Sequence, residues 1–330
     1  MSDQSEHAKR LCLERSPAIL RNCDGSCQFM ASSGGIVSGL IKYLFETGKI
    51  KNAISYEFDA SNLYAPKLIS SFKEYRIVGS IYHEVDLINF IKDSLSCLSG
   101  PLAVVCLPCQ VKAIRYLLKE GGVTGSIIAL TCSAQLSKDA TYYMYDRLKI
   151  KKTDVLSLRY RGNGWPSGVQ IETTSRRHFL PNRPSLWFDI FHSHIFTLRR
   201  CFWCRDTFGI NADITVADPW LRHYMEKDTI GHTLVLVHNT KGALIVEDSI
   251  RQGYLECIEE IDVGQVVASQ KATLDRKMVF RDHQILFRFL SVIFKSRLYG
   301  CLLKCTWYLR FHRIVFNKMI LLLSRSEKLH

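Results

Sequence analysis

Two short runs of β-branched and aliphatic residues, 102–107 and 126–131, each lead into a segment with helical spacing. No other feature of the chain limits its fold so sharply. The first helical segment, 110–119, sets Val111, Ile114, Leu117 and Leu118 on one stripe and stops at Gly121 and Gly122. The second covers 139–148. A strand–helix–strand crossover of this length joins parallel strands, so the two strands are predicted to be neighbours. Around this unit a helix is predicted over 36–45, and strands over 53–58, 155–160, 169–173, 213–217 and 233–238. The predicted fold class is α/β: a mixed, mainly parallel sheet with flanking helices, some antiparallel pairing after residue 150, and a C-terminal helical basic tail. At 330 residues there is ample chain for a buried core.

Charge divides the chain. Of the formal +13, residues 271–330 supply +10, from thirteen Lys and Arg against three acids. No acid lies over 283–326, where Phe287, Phe289, Phe294, Trp307, Phe311 and Phe316 recur among Leu, Ile and Val. Bases interleaved with aromatics at helical intervals describe basic amphipathic helices. Two readings stay open: helices packed on the main body with a solvated basic face, or helices lying on an anionic membrane surface. Nucleic acid is not an expected partner, because no reader motif is present and the charge sits at one end. No apolar run reaches the ~18 residues of a spanning helix, and residues 1–10 lack the apolar core of a secretory signal. The expected location is cytoplasmic, peripheral on the inner face of the membrane where the tail binds it, with thiols kept reduced. Three parts are expected: an N-terminal segment 1–30, a main domain 31–270 and the tail 271–330.

Twelve cysteines exceed what packing in a reducing compartment asks for, which points to metal or redox chemistry. Cys109 and Cys132 each fall just past the end of one of the two predicted parallel strands. Such positions meet at the carboxyl edge, where open α/β sheets bind ligands. Pro108 and the helix that follows put Cys109 at a helix start, which favours a thiolate. Cys201-Phe-Trp-Cys204 has the spacing that lets two sulfurs reach one metal or cluster. Together Cys109, Cys132, Cys201 and Cys204 supply the four thiolates of a 4Fe–4S cluster or of tetrahedral zinc; simple packing is the plainer account of Cys132. Cys106 and Cys109 form a second CxxC, but Cys106 falls inside the predicted strand rather than in a redox turn. Cys12, Cys23, Cys27, Cys97, Cys257, Cys301 and Cys305 read as buried or incidental thiols.

Other residues suit a cofactor. Ser32, Ser33, Gly34 and Gly35 precede a predicted helix, where close backbone approach and free N–H groups suit a pyrophosphate; a plain helix cap accounts for them equally. Asp218, at a strand end before Pro219, is placed to meet a ribose or ring, or simply to form a turn. Arg161 and Trp165, in a Gly-rich turn beside Arg159, suit a phosphate and a ring face. No GxSxG, HExxH or Walker sequence points to hydrolysis or nucleoside triphosphates.

These segments stand in a recognisable order: Ala31-Ser-Ser-Gly-Gly-Ile36, Leu107-Pro-Cys-Gln-Val111, Cys132, Tyr160-Arg-Gly-Asn-Gly-Trp-Pro166, Cys201-Phe-Trp-Cys-Arg-Asp206 and Asp213-Ile-Thr-Val-Ala-Asp-Pro-Trp220. Over roughly residues 30–245 the chain resembles the coenzyme F420 hydrogenase/dehydrogenase beta-subunit family. The resemblance implies a flavoprotein that holds FAD and iron–sulfur and passes electrons between flavin and a partner. Some relatives accompany bacterial polysaccharide synthesis. Cys109, Cys132, Cys201 and Cys204 match the family's cluster-ligand positions, and Ser32, Ser33, Gly34 and Gly35 its loop near the flavin. Cys106, Leu107 and Ala217 depart from the family pattern, and the ferredoxin-like N-terminal module of relatives is absent. One cluster is then the most the chain holds, with electrons coming from an external donor protein or reduced cofactor. Two functions follow: a flavin/iron–sulfur oxidoreductase at the inner membrane face, or a non-catalytic assembly protein with a four-cysteine structural zinc.

Overall fold

The computed structural model describes residues 11, 13–98 and 100–326. Eight strands form the main sheet: β1 (Ala18–Asn22), β2 (Asn52–Asp59), β3 (Leu63–Ile69), β4 (Leu102–Cys106), β5 (Gly125–Leu130), β9 (Ile214–Ala217), β10 (Thr233–Val237) and β11 (Leu255–Glu260). Their spatial order is β11-β1-β10-β9-β5-β4-β2-β3. The predicted pair is there. β4 and β5 run parallel, with Leu102 opposite Gly125 and Cys106 opposite Ala129. β2 and β9 extend this parallel centre on either side, so four strands share one carboxyl edge. The outer pairings, β2–β3, β9–β10, β10–β1 and β1–β11, are antiparallel. Antiparallel pairing is therefore not confined to the part after residue 150. A separate antiparallel sheet of β6 (Val155–Arg159), β7 (Gly168–Thr173) and β8 (Arg177–Pro181) lies apart from the main one.

Twelve helices surround the sheets among the described residues: α1 (Gly25–Met30), α2 (Ile36–Glu46), α3 (Leu87–Ser94), α4 (Val111–Glu120), α5 (Asp139–Arg147), α6 (Leu186–Ser193), α7 (Arg222–Lys227), α8 (Thr240–Arg251), α9 (Val263–Asp282), α10 (Gln284–Ile293), α11 (Arg297–Leu302) and α12 (Thr306–Ser326). Alternation along the central strands assigns the layers. Ala103 and Val105 face Leu40, Leu44 and Ile245 of α2 and α8. Leu102 and Val104 face Ile91, Ile114 and Leu118 of α3 and α4.

Both expected part boundaries move. β1 sits between β10 and β11, with Ile19 and Leu20 fully buried, so residues 18–30 belong to the main body. The boundary at 270/271 falls inside α9. That helix starts at a capping box, in which Asp262 accepts from the Gln265 amide at 2.8 Å and Gln265 accepts from the Asp262 amide at 2.9 Å. The tail helices then pack inward. Phe287, Phe294 and Phe316 join Phe202, Phe280 and Trp187 in one aromatic core, so the packed-helix reading describes the inner face of the tail. The absence of a signal over 1–10, Cys12, Glu327 and Lys328 lie outside the described residues.

That core contains histidines held neutral. His83 accepts from the Tyr64 amide at Nε2, 3.2 Å away, while Nδ1 lies 2.8 Å from the Glu84 carbonyl oxygen. Burial pushes its pKa down to about 4, and burial pushes His194 and His312 down as well. Above the ordinary histidine range both folded and unfolded chains are neutral here. Below it the unfolded chain takes up protons first, so stability is lost as pH falls from about 6.5 towards 4. His83 alone accounts for roughly 3 kcal/mol of that loss. A thermal melt series should show Tm falling steeply across this window, and His83→Gln should flatten the fall.

Candidate functional site

The parallel register of β4 and β5 does for two cysteines what their spacing predicts. Cys109 lies in the 3₁₀ turn Pro108–Gln110 that leads into α4. Cys132 closely follows β5, where its amide donates to the Thr207 carbonyl at 3.1 Å. The second pair comes from the turn Arg199–Phe202. Leu198 ties this turn to the segment after β5 by donating to the Gln135 carbonyl at 2.9 Å, and the Gln135 amide points at Cys201 Sγ at 3.4 Å. The loop that follows returns tightly over β5. Gly209 has φ +63°, and a Cβ there would stand 2.8 Å from Ala129 and 3.2 Å from Pro108, so a side chain at this point would push the two thiol-bearing segments apart.

All four thiols line one small cleft, with Arg200, Asp206 and Lys277 on its wall. Cys201 is buried, Cys132 and Cys204 are half-buried and Cys109 is exposed. Cys109 and Cys204 share a hydrogen bond. That bond, with the Lys277 ammonium 3.6 Å from the sulfur, pulls the Cys204 thiol below its ordinary range. Its partner Cys109 is pushed up, and burial pushes Cys132 up to about 12 and Cys201 in the same direction. Lys277 also donates to the Asp206 carbonyl at 2.5 Å, which fixes the ammonium over the cleft. Among the described residues, no three His, Cys, Asp or Glu side chains are placed to hold a single metal ion. Four thiols on one cleft, with Arg200 and Lys277 to offset added negative charge, are the donor types that a 4Fe–4S cluster would take.

Cys132 lines a second space too, a cavity of about 800 Å³. That volume suits a large organic cofactor, for which sites of roughly 300–1,000 Å³ are usual. The cavity lies at the carboxyl edge of the parallel strands and is covered by β7–β8, α6 and α9. Ser32, Ser33, Gly35, Arg161 and Asp218 all lie on its wall. Gly35, with φ +74°, is the residue that opens α2. Arg161 knits this end together: Nη1 meets Asp218 Oδ2 at 2.6 Å and Nη2 donates to the Ser32 carbonyl at 2.7 Å.

Two expected cofactor residues do not line the cavity. Gly34 is wedged against the sheet, where a Cβ would come within 2.8 Å of the Leu20 oxygen and the Thr233 nitrogen, and its amide donates to Thr233 Oγ1 at 2.8 Å. Trp165 is buried against Trp220, ring centroids 5.1 Å apart, with the Arg161 guanidinium 5.0 Å from its ring. Trp165 thus packs against Arg161 behind the cavity wall. Cys106, the other half of the second CxxC, is buried at the end of β4 and burial pushes its thiol up, so it is no redox turn.

Residues that sequence reasoning missed come from the covering layer. Arg183 precedes α6, His192 lies in its last turn, and Arg276 and Lys277 ride on α9. The capping box Asp262–Gln265 was the available signal that these bases sit on a helix of the main body rather than in a tail.

An α/β body with a four-thiol cleft opening beside a large cavity, at the carboxyl edge of parallel strands, agrees with an electron-transfer oxidoreductase subunit, the class its family points to. The chain belongs to the coenzyme F420 hydrogenase/dehydrogenase beta-subunit family. Residues 100–263 match the C terminus of that beta subunit, and residues 20–92 match its N-terminal part. Among solved structures, the chain is similar to a chain of the F420-reducing [NiFe] hydrogenase complex from Methanosarcina barkeri, determined in a xenon derivative. The identity is 18% and the TM-score 0.61, over 81% of this chain and 91% of that one. At that identity the likeness establishes the shared fold. No curated protein matches the chain.

Proposed function

We propose that the chain is a flavin- and iron–sulfur-dependent electron-transfer oxidoreductase working at the inner face of a membrane. One observation carries this reading: Cys132 belongs at once to the four-thiol cleft and to the wall of the large cavity. When bound, a 4Fe–4S cluster and FAD supply the one- and two-electron chemistry. The protein's own part is to hold them. Cys109, Cys132, Cys201 and Cys204 are the cluster ligands, and Lys277 and Arg200 offset the cluster's charge. Ser32, Ser33 and Gly35 present the start of α2 to a pyrophosphate, while Arg161, Asp218 and Trp220 shape the cavity beside it. An external donor, a protein or a reduced cofactor, completes the couple. A place in bacterial polysaccharide synthesis rests on the sequence resemblance alone. Anaerobic purification tests the proposal. A brown protein with flavin absorbance and about four irons per chain supports it; a colourless protein with one zinc overturns it.

The membrane part of the proposal rests on the outer face of the tail. Among the described residues no helix is long and apolar enough to cross a membrane. Yet α10 and α12 each carry a second apolar stripe, set between the buried positions and turned outwards. Ile285, Phe289 and Val292 lie on one turn after another of α10, and Trp307, Phe311 and Ile314 do so on α12; Ile285 is 88% and Trp307 68% exposed. Arg288, Lys295, Lys304, Arg310 and Lys318 are exposed alongside, with no acid over 283–326. An apolar stripe with basic neighbours complements an anionic lipid surface. Full-length protein should pellet with vesicles containing phosphatidylserine or phosphatidylglycerol and lose most of that binding in high salt. Substituting Phe289, Trp307 and Phe311 together by Ser should abolish pelleting while iron content stays unchanged.

A further inference from the structure

We propose that Arg183 and Arg276 form an anion-binding subsite in the large cavity, which takes the carboxylate or phosphate group of a small-molecule redox substrate. Positive charge outnumbers negative along the cavity wall. The acids lining the cavity are Asp218 and Asp275. Asp218 is held by Arg161 at 2.6 Å and Asp275 by Lys271 at 2.5 Å. Arg76, Arg183 and Arg276 also line the wall without a carboxylate partner among the described residues; Arg76 donates to the Lys73 and Tyr75 carbonyls, which leaves Arg183 and Arg276.

Arg276 is the stronger observation. Its Nε is buried with no hydrogen-bond partner, beside Cys132 at the end where the cavity adjoins the thiol cleft. Burial lowers its pKa to about 10, so it stays charged at neutral pH. Arg276 is half-buried, but a buried guanidinium nitrogen with no hydrogen-bond partner is costly unless a ligand supplies an acceptor. Arg183 complements it from the mouth. It is exposed, and its guanidinium lies 5.0 Å from the Phe188 ring. On the same ring, His192 packs at 4.3 Å and Arg313, paired with Asp189 at 2.6 Å, lies at 5.2 Å. His192 is neutral, its pKa pushed down to about 3 by burial and by the surrounding arginines. It therefore adds a neutral ring nitrogen rather than a third charge. Two guanidiniums suit an oxyanion because each offers planar, forked donors.

The placement matters for chemistry. An anionic group held here leaves the rest of its molecule lying along the cavity, between Cys132 and the Ser32–Asp218 end. Arg276 lies beyond the family-matched residues, which end at 263, whereas Arg183 lies within them. The subsite rests on the redox reading only in calling its ligand a substrate. Whether the anion binds is measured independently of which metal the thiols hold.

The test is calorimetric titration of full-length, anaerobically purified protein with inorganic phosphate and, separately, with acetate at matched ionic strength. Iron and flavin are measured on the same samples. Saturable binding of one anion is expected, and the tighter of the two identifies the substrate group. Arg183→Gln and Arg276→Gln should each weaken that binding about tenfold or more, and Arg276→Lys should recover part of it. Arg183 is exposed, so its variant reports even where the Arg276 variant fails to fold. The proposal is overturned if neither anion saturates, or if Arg183→Gln binds as tightly as the parent. It also fails if phosphate competes with added FAD, which would assign the arginines to the cofactor. Loss of iron from Arg276→Gln with anion affinity unchanged would make that residue a counterion of the thiols instead.

Discussion

A Cys201→Ser protein purified without oxygen should retain less than one iron per chain, against about four in the parent, and should lose at least a hundredfold in flavin-linked electron transfer. Cys201 is the most enclosed of the four thiols, and its sulfur already meets the Gln135 amide. A serine hydroxyl keeps that contact but replaces a soft thiolate ligand with a weak oxygen donor. The fold should survive, because the site is built from turns tied to backbone rather than from the sulfur itself. Circular dichroism and Tm should therefore stay close to the parent while the colour disappears. Cys97→Ser makes the matched control, since Cys97 is exposed and stands outside the cleft. Equal iron in the two variants would remove Cys201 from the ligand set.

Phe287→Ala should destabilise the protein by about 3–5 kcal/mol, the usual range for deleting a buried phenyl ring. Phe287 has no exposed surface. Its ring stacks on Phe202 at 5.9 Å and packs edge-on against Phe280 at 4.5 Å and Phe316 at 5.9 Å. Three segments therefore meet at this ring: the turn bearing Cys201, helix α9 and helix α12. Phe289→Ala, two residues away on the outer stripe, should change stability by less than about 0.5 kcal/mol. Chemical denaturation of the two variants separates them cleanly. Similar small losses in both would mean that the tail is not part of the cooperative core.

How much of this was legible in the sequence follows from what each signal measures. The β4–α4–β5 unit was readable because buried parallel strands are apolar throughout and the intervening helix has one clean stripe. That placed Cys109 and Cys132 correctly, since register alone brings strand ends together. β1 went unread because it is five residues long and carries Arg21 and Asn22, with burial supplied by partners far along the chain. The tail misled for a different reason. On α10 the inward set of Phe287 and Ser291 interleaves with the outward set of Ile285, Phe289 and Val292. Composition cannot say which of two apolar stripes meets the core. Trp165 and Gly34 looked like ligand residues because aromatics and glycines near a loop serve binding and packing alike. Only their neighbours, Trp220 and Arg161 for one and Leu20 and Thr233 for the other, decide between the two.

The pairing of β1 also governs when the site can exist. Leu20 pairs with Thr233 on one side and with Cys257 on the other, and Lys277 over the thiols lies later still. A growing chain thus carries β1 as an open sheet edge until residue 260 of 330 has been made. Folding that closes over such separations is slow and exposes unpaired strands meanwhile. On the proposed function, cofactor loading would then follow synthesis of α9, because a chain stopped short of it would leave the thiol cleft without Lys277.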